Sequence, residues 1–159
     1  MNAAILIMSD KSSSGEREDA SGPVIENFVG EGGGEIKEYR IIPDDYDRIV
    51  KELNELSEID DVEIIFTSGG TGFAPRDITP EATSEVIEKE VPGLPEKMRA
   101  DTSKFTELTY LSRAKAGIKG DCLIVNLPGK PEAVEQCLES VIDIIPHGLD
   151  ILRGSITEH

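Results

Sequence analysis

Apolar positions along the chain follow two alternating rhythms. Ala3–Met8 is a continuous apolar run ending in Ser9-Asp10, as expected of a strand buried on both faces in a parallel sheet. Lys11–Gly15 is polar and reads as a loop. Asp19 or Ser21 stands where a helix cap is expected, with Pro23 near the first turn, and predicts a helix through about Val29. Gly30–Gly34, rich in glycine, ends it. Ile36–Ile42 predicts a second strand through its β-formers Ile36, Tyr39, Ile41 and Ile42. Behind Pro43-Asp44-Asp45, the residues Tyr46, Ile49, Val50, Leu53, Leu56 and Ile59 recur at helical spacing, and Asp60-Asp61 closes that helix.

The second half repeats the alternation. Val62–Thr67 predicts a third strand and Ser68–Asp77 a glycine-rich loop. Thr79-Pro80-Glu81 has the order of a helix start: Thr as cap, Pro at the first helical position, an acid in the first turn. Pro92–Thr106 predicts a short helix. Lys115–Lys119 and Cys122–Leu127 predict two strands joined at Gly120-Asp121, a hairpin on the sheet edge. Pro128–Pro131 leads into a last helix with one apolar stripe, Val134, Cys137, Leu138, Val141, Ile142 and Ile145, ending at Pro146.

Strands alternating with helices imply βαβ units. The expected fold is a three-layer α/β/α domain, its sheet mostly parallel, with helices on both faces and one antiparallel edge strand. The length of 159 residues fits a single domain spanning 1–159, and no linker or repeat interrupts it. In such sheets ligands sit beyond the carboxyl ends of the strands. That rule selects four loops: Ser9–Gly15, Pro43–Asp45, Ser68–Asp77 and Asn126–Pro131.

Charge narrows the partners. Lys and Arg total 16 against 32 Asp and Glu, a formal net charge of −16. Non-specific nucleic-acid binding and docking on anionic lipid both need the opposite sign. The early apolar run falls well short of the roughly 20 residues of a membrane span, and no basic segment precedes it. Cys122 and Cys137 fit neither a CxxC nor a zinc spacing, so a reducing, cytoplasmic compartment and a packing role are expected. Met98 reads as core filler, and His147 and His159 are too few for a histidine-rich metal site.

The four loops have chemistry of their own. In Ser68-Gly69-Gly70-Thr71-Gly72, three glycines let main-chain N–H groups approach an anion, or simply allow a tight turn. Its spacing matches neither the P-loop nor the dinucleotide fingerprint. Arg76 can fork onto a phosphate and Asp77 can hold Mg²⁺, or the two can form a surface pair. Asp45 is the expected cap of its helix, which leaves Asp44 as a base or metal ligand at the mouth of the crevice. Asn126–Pro131 is a second strand–turn–helix unit whose helix start can receive an anion beside Lys130, or is only a proline-stiffened connection. Ser112-Arg113 is a weaker candidate, an ordinary serine and a solvated arginine.

Taken in order, these pieces resemble the MogA/MoaB family of molybdenum-cofactor biosynthesis proteins, and are similar to the G-domain of gephyrin. The resemblance rests on Ser9-Asp10 with Ser13-Ser14-Gly15, Ile42-Pro43-Asp44, Thr67–Gly72, Pro75–Pro80 with Glu81-Ala82, Leu111-Ser112-Arg113 and Asn126–Pro131, and runs from about Ala4 to Ile145. It implies a three-layer α/β fold, a homotrimer or homohexamer, and adenylylation of molybdopterin with Mg²⁺ as cofactor and ATP as co-substrate. A separate insertion protein then uses the product. It further implies that Asp44 and Asp77 are catalytic, and the chemistry of the loop makes Asp77 the expected holder of Mg²⁺. Ser9, Asp10, Gly69, Gly70, Thr71, Gly72, Arg76, Thr102, Ser112, Arg113, Asn126, Pro128, Gly129 and Lys130 are the expected substrate contacts. Thr102 stands where relatives often have Ser, and Lys130 where several have Asn or Gln. Two other readings compete: a molybdopterin-binding scaffold without catalysis, and a nucleotide pyrophosphatase of the competence-damage type. The presence of both aspartates favours the enzyme.

Overall fold

The computed structural model describes residues 1–156; His159 lies outside them. The elements in chain order are β1 (Asn2–Met8), a one-turn helix α1 (Asp10–Ser13), α2 (Ser21–Glu31), β2 (Glu35–Ile42), α3 (Tyr46–Ser57), β3 (Ile64–Ser68) and α4 (Thr79–Val86). Then come β4 (Lys89–Glu90), α5 (Gly93–Thr102), a 3₁₀ turn (Glu107–Leu111), β5 (Ala116–Lys119), β6 (Cys122–Leu127), α6 (Pro131–Val141) and α7 (Ile145–Leu152). The six strands form one sheet in the order β2-β1-β3-β6-β5-β4. The pairings β1–β2, β1–β3 and β3–β6 are parallel, while β5 runs antiparallel to both of its neighbours.

The sheet separates two cores, and β1 shows why. Ala3, Ile5 and Ile7 face one core with Ile25 and Val29 of α2 and Val134, Leu138 and Val141 of α6. Ala4, Leu6 and Met8 face the other, with Ile49, Leu53 and Leu56 of α3 and Ala82 and Val86 of α4. Alternation with period two in a strand apolar throughout is the condition for burial on both faces. The three-layer α/β expectation therefore holds. Among the described residues no helix is long and apolar enough to cross a membrane.

Several local expectations are corrected. The Asp10–Ser13 stretch, expected as loop, turns once as a helix because Ser9 Oγ accepts from the Ser12 N–H at 3.1 Å. The edge of the sheet is β4, not the β5–β6 hairpin, and β6 lies inside, paired with β3. Thr79 is the first helical residue rather than a cap. Its buried hydroxyl donates to the Gly69 carbonyl at 2.9 Å instead. The last apolar stripe spans two helices. Pro146 is in the first turn of α7, and its ring leaves no room for the carbonyl of residue 142 in a continuous helix. His147 thus sits inside a helix, exposed, rather than after one.

Candidate functional site

β1 is flanked by β2 on one side and β3 on the other, so the chain reverses its direction of winding between β1 and β3. The crevice of an open α/β sheet lies at such a reversal. The loops after β1 and β3 come together there. Gly69 takes φ +102° and Gly70 φ +67°, and a Cβ on Gly69 would lie 2.4 Å from the Met8 carbonyl oxygen. Only glycine fits both the backbone angle and the close approach.

The two candidate carboxylates stand against this loop. A Cβ on Gly70 would lie 3.3 Å from Asp44 Oδ1, and one on Gly72 would lie 2.9 Å from Asp77 Oδ2. The glycines thus make room for both acids on one rim. Asp77 Oδ2 accepts from the Ala74 N–H at 2.9 Å. Asp44 is half-buried, and burial raises its carboxyl above the ordinary 3.8. The charges of Asp10 and Asp77 push the same way, against the Asp10 N–H and Arg76. Asp45 is the cap that the sequence predicts, its carboxylate accepting from the Arg48 N–H at 2.9 Å.

Beside this rim lie two hollows that share Gly129 and Lys130. The larger, about 400 Å³, is lined by Thr71, Gly72, Thr102, Ser112, Asn126, Pro128, Gly129 and Lys130 among the expected residues. Its outer wall comes from α5, the 3₁₀ turn and α6, and includes Met98, Arg99, Leu108 and Gln136. The smaller, about 210 Å³, is lined by Ser9, Gly69, Gly129 and Lys130, with Arg17, Asp19 and Ser21. Neither hollow is lined by Asp10, Asp44, Gly70, Arg76 or Asp77, although Thr71 and Gly72 of the same loop line the larger one.

The side chains differ from their sequence reading in what they already hold. Arg113, expected as solvated, clamps the glycine loop. Its main-chain N–H donates to the Thr71 carbonyl, Nε to the Gly72 carbonyl at 2.8 Å and Nη2 to the Asp77 carbonyl at 2.7 Å, while Nη1 pairs with Glu81. Asn126 is fully buried. Its amide donates to Thr67 Oγ1 and Thr83 Oγ1, both at 2.9 Å, and its carbonyl accepts from the Lys115 N–H. Asn126 therefore holds the cavity wall. Thr102 Oγ1 bonds the Met98 carbonyl and Thr109 Oγ1, tying α5 to the 3₁₀ turn. Arg76 pairs with Asp10 rather than with its neighbour Asp77. Arg17 and Arg99 escaped the sequence reading: Arg17 Nη2 donates to Ser9 Oγ, and Arg99 Nη1 reaches the carbonyls of Ser112 and Ala114 at 3.3 Å. No local pattern marks either one.

No group of three or more His, Cys, Asp or Glu side chains able to hold a metal occurs among the described residues. Asp44 and Asp77 offer two hard oxygen donors. That set suits Mg²⁺, which usually takes one or two carboxylates and completes its shell with water and substrate phosphate. Both thiols are buried, and burial pushes Cys122 up to about 12 and Cys137 up to about 11, which disfavours the thiolate.

Fold and rim together define an open α/β domain with a glycine loop and two carboxylates gathered at the carboxyl ends of its strands. A family model described as a probable molybdopterin binding domain matches residues 4–147, and the chain belongs to that family. It is 40% identical over 157 residues to a molybdopterin adenylyltransferase of Helicobacter pylori, covering 98% of this chain and 89% of the relative. It is 35% identical to the molybdopterin adenylyltransferase of Escherichia coli, covering 94% and 80%. The structure of the molybdopterin biosynthesis enzyme MoaB of Thermus thermophilus superposes with a TM-score of 0.90 at 41% identity, covering 96% of each chain.

Proposed function

We propose that this chain adenylylates molybdopterin: a phosphate oxygen of the pterin attacks the α-phosphorus of ATP, the bond to the β-phosphate breaks, and pyrophosphate leaves. The observation that carries this reading is that Asp44 and Asp77 stand against Gly70 and Gly72 of one glycine loop, whose Thr71 and Gly72 also line a cavity of about 400 Å³. Relatives of similar length carry that activity in their names.

Transfer of this kind is catalysed by positioning and by charge neutralisation, with no covalent nucleophile. Mg²⁺ held on the ATP phosphates would offset their charge. Asp77 would hold that ion, and Asp44 would order its water shell or the attacking phosphate. The N–H groups of Gly70–Gly72 and of the turn through Gly129 would face the anions, while that of Gly69 is held by the Leu127 carbonyl. Arg113 keeps the loop in the shape that makes this possible. We further propose that the protein works in the cytoplasm as a homotrimer or homohexamer and passes its product to a separate metal-insertion protein.

Asp77→Ala is expected to cut formation of adenylyl-molybdopterin by roughly 10²–10³-fold, the loss typical when one preorganised electrostatic partner is removed. Its circular dichroism and pterin binding should be preserved. Unchanged turnover rules out the assignment. Pterin binding by the wild type without pyrophosphate release would identify a scaffold, and hydrolysis of ADP-ribose without pterin a pyrophosphatase.

A further inference from the structure

Arg76 is exposed, yet its guanidinium is engaged on both prongs. Nε donates to Asp10 Oδ2 at 2.6 Å and Nη2 to Asp10 Oδ1 at 2.9 Å, and Nη2 also reaches the main-chain oxygen of Asp44 at 2.9 Å. Asp10 and Asp44 are joined in turn. The Asp10 N–H donates to Asp44 Oδ2 at 3.2 Å and the Asp44 N–H to Asp10 Oδ1 at 3.0 Å. One side chain therefore knots the loops that follow β1, β2 and β3 where the sheet reverses.

Stability alone is a poor reason for this knot. The Asp10 and Arg76 side chains are 44% and 63% exposed, and ion pairs in water contribute little. The geometry suggests another use. A carboxylate offers a guanidinium the same pair of oxygens that a phosphate offers. Arg76 holds the Asp10 carboxyl below the usual carboxylate range, so at neutral pH the fork is filled by a full negative charge. It lies against Asp44, on the rim where the nucleotide's phosphates are placed by the adenylyltransferase reading, on which this argument rests.

We propose that Asp10 is a positioning residue rather than a substrate contact. Its carboxylate stands in for a phosphate on the Arg76 fork and holds the arginine beside Asp44 until the triphosphate of the nucleotide takes the fork over. Asp10 and the incoming anion then compete for one guanidinium. The ion pair keeps Arg76 on the rim of a chain with net charge −16, at the expense of some affinity for ATP.

Asp10→Asn keeps an oxygen that can accept from the Asp44 N–H and removes the charge that fills the fork. Binding of Mg-ATP, measured by titration calorimetry, is expected to tighten about threefold to tenfold in Asp10→Asn and to weaken by a similar factor in Arg76→Gln. In the Arg76→Gln background the Asp10→Asn change should have no effect, since the competitor then has nothing to compete for. A misfolded rim would weaken binding in every variant, so tightening is a readout that structural damage does not imitate. Equal tightening with and without Arg76 would make Asp10 a mere repelling charge and overturn the proposal, as would no tightening at all. Wild-type adenylylation measured in parallel separates the claims. Turnover without this coupling overturns the inference alone. Coupling without turnover supports it and overturns only the reading of the chemistry.

Discussion

Burial works against the charge on Asp44, and the charges of Asp10 and Asp77 add to that penalty. An acid whose folded pKa is raised binds its proton more tightly in the folded chain. Its stabilising contribution is complete below the ordinary 3.8 and is lost as pH rises through the folded value. At neutral pH the ionised carboxylate is therefore a burden on stability, in line with the role proposed for it at the site. Asp44→Asn keeps an acceptor for the Asp10 N–H. It is expected to raise the thermal midpoint at pH 7, by a margin that shrinks as pH falls toward 3.8, while adenylylation drops. Thermal unfolding of both proteins across that range checks the sign. A residue's identity was readable at this scale, but its state was not. Arg113 looked like a solvated arginine in Leu111-Ser112-Arg113, and only contacts with Gly72 and Asp77 make it a clamp.

Elements followed the sequence where one local pattern sufficed. The apolar run of β1 and the helical spacing of α3 each report their own burial, because period two and period 3.6 are local properties. The α3 start is the clearest case. Asp45, read as a cap, accepts from the Arg48 N–H, and Asp45→Ala is expected to cost about 1 kcal/mol in urea unfolding. That substitution stands beside Asp44 in sequence and should leave the rim intact. β4 has no sequence signature, because two residues show no period. Thr79 has the sequence of a cap but does not act as one, because its hydroxyl is drawn to the Gly69 carbonyl ten residues earlier. The break between α6 and α7 was written in Pro146, but the continuing apolar stripe masked it.

At the scale of the whole molecule, the acidic composition and the proposed polyphosphate substrate oppose one another. A net charge of −16 repels ATP. If the proposed substrate binds, its binding must rest on a few directed donors, the role proposed for the glycine loop and the turn at Gly129. The surface also leaves large apolar side chains uncovered close together in sequence: Phe105, Leu108, Tyr110 and Leu111 are 52%, 71%, 58% and 48% exposed. Leu108 and Leu111 also line the larger cavity, and in the proposed assembly a second copy would cover the rest of this apolar surface. Sedimentation is expected to give three or six times the 17.3 kDa chain mass, and a monomer would refute the assembly.

Taken alone, the sequence determined the order of the longer strands and helices, though not β4, the α1 turn or the break between α6 and α7, together with the loops at the carboxyl edge of the sheet and the presence of Asp44 and Asp77 among them, because each follows from short-range pattern and from parallel-sheet topology. Only the tertiary structure decided which polar side chains remain available. Arg76 meets Asp10 across 66 positions of chain, and Asn126 meets Thr67 across 59. Whether a charged or polar group faces a ligand or a neighbour depends on what folding brings beside it, and nothing local in the chain encodes that partner.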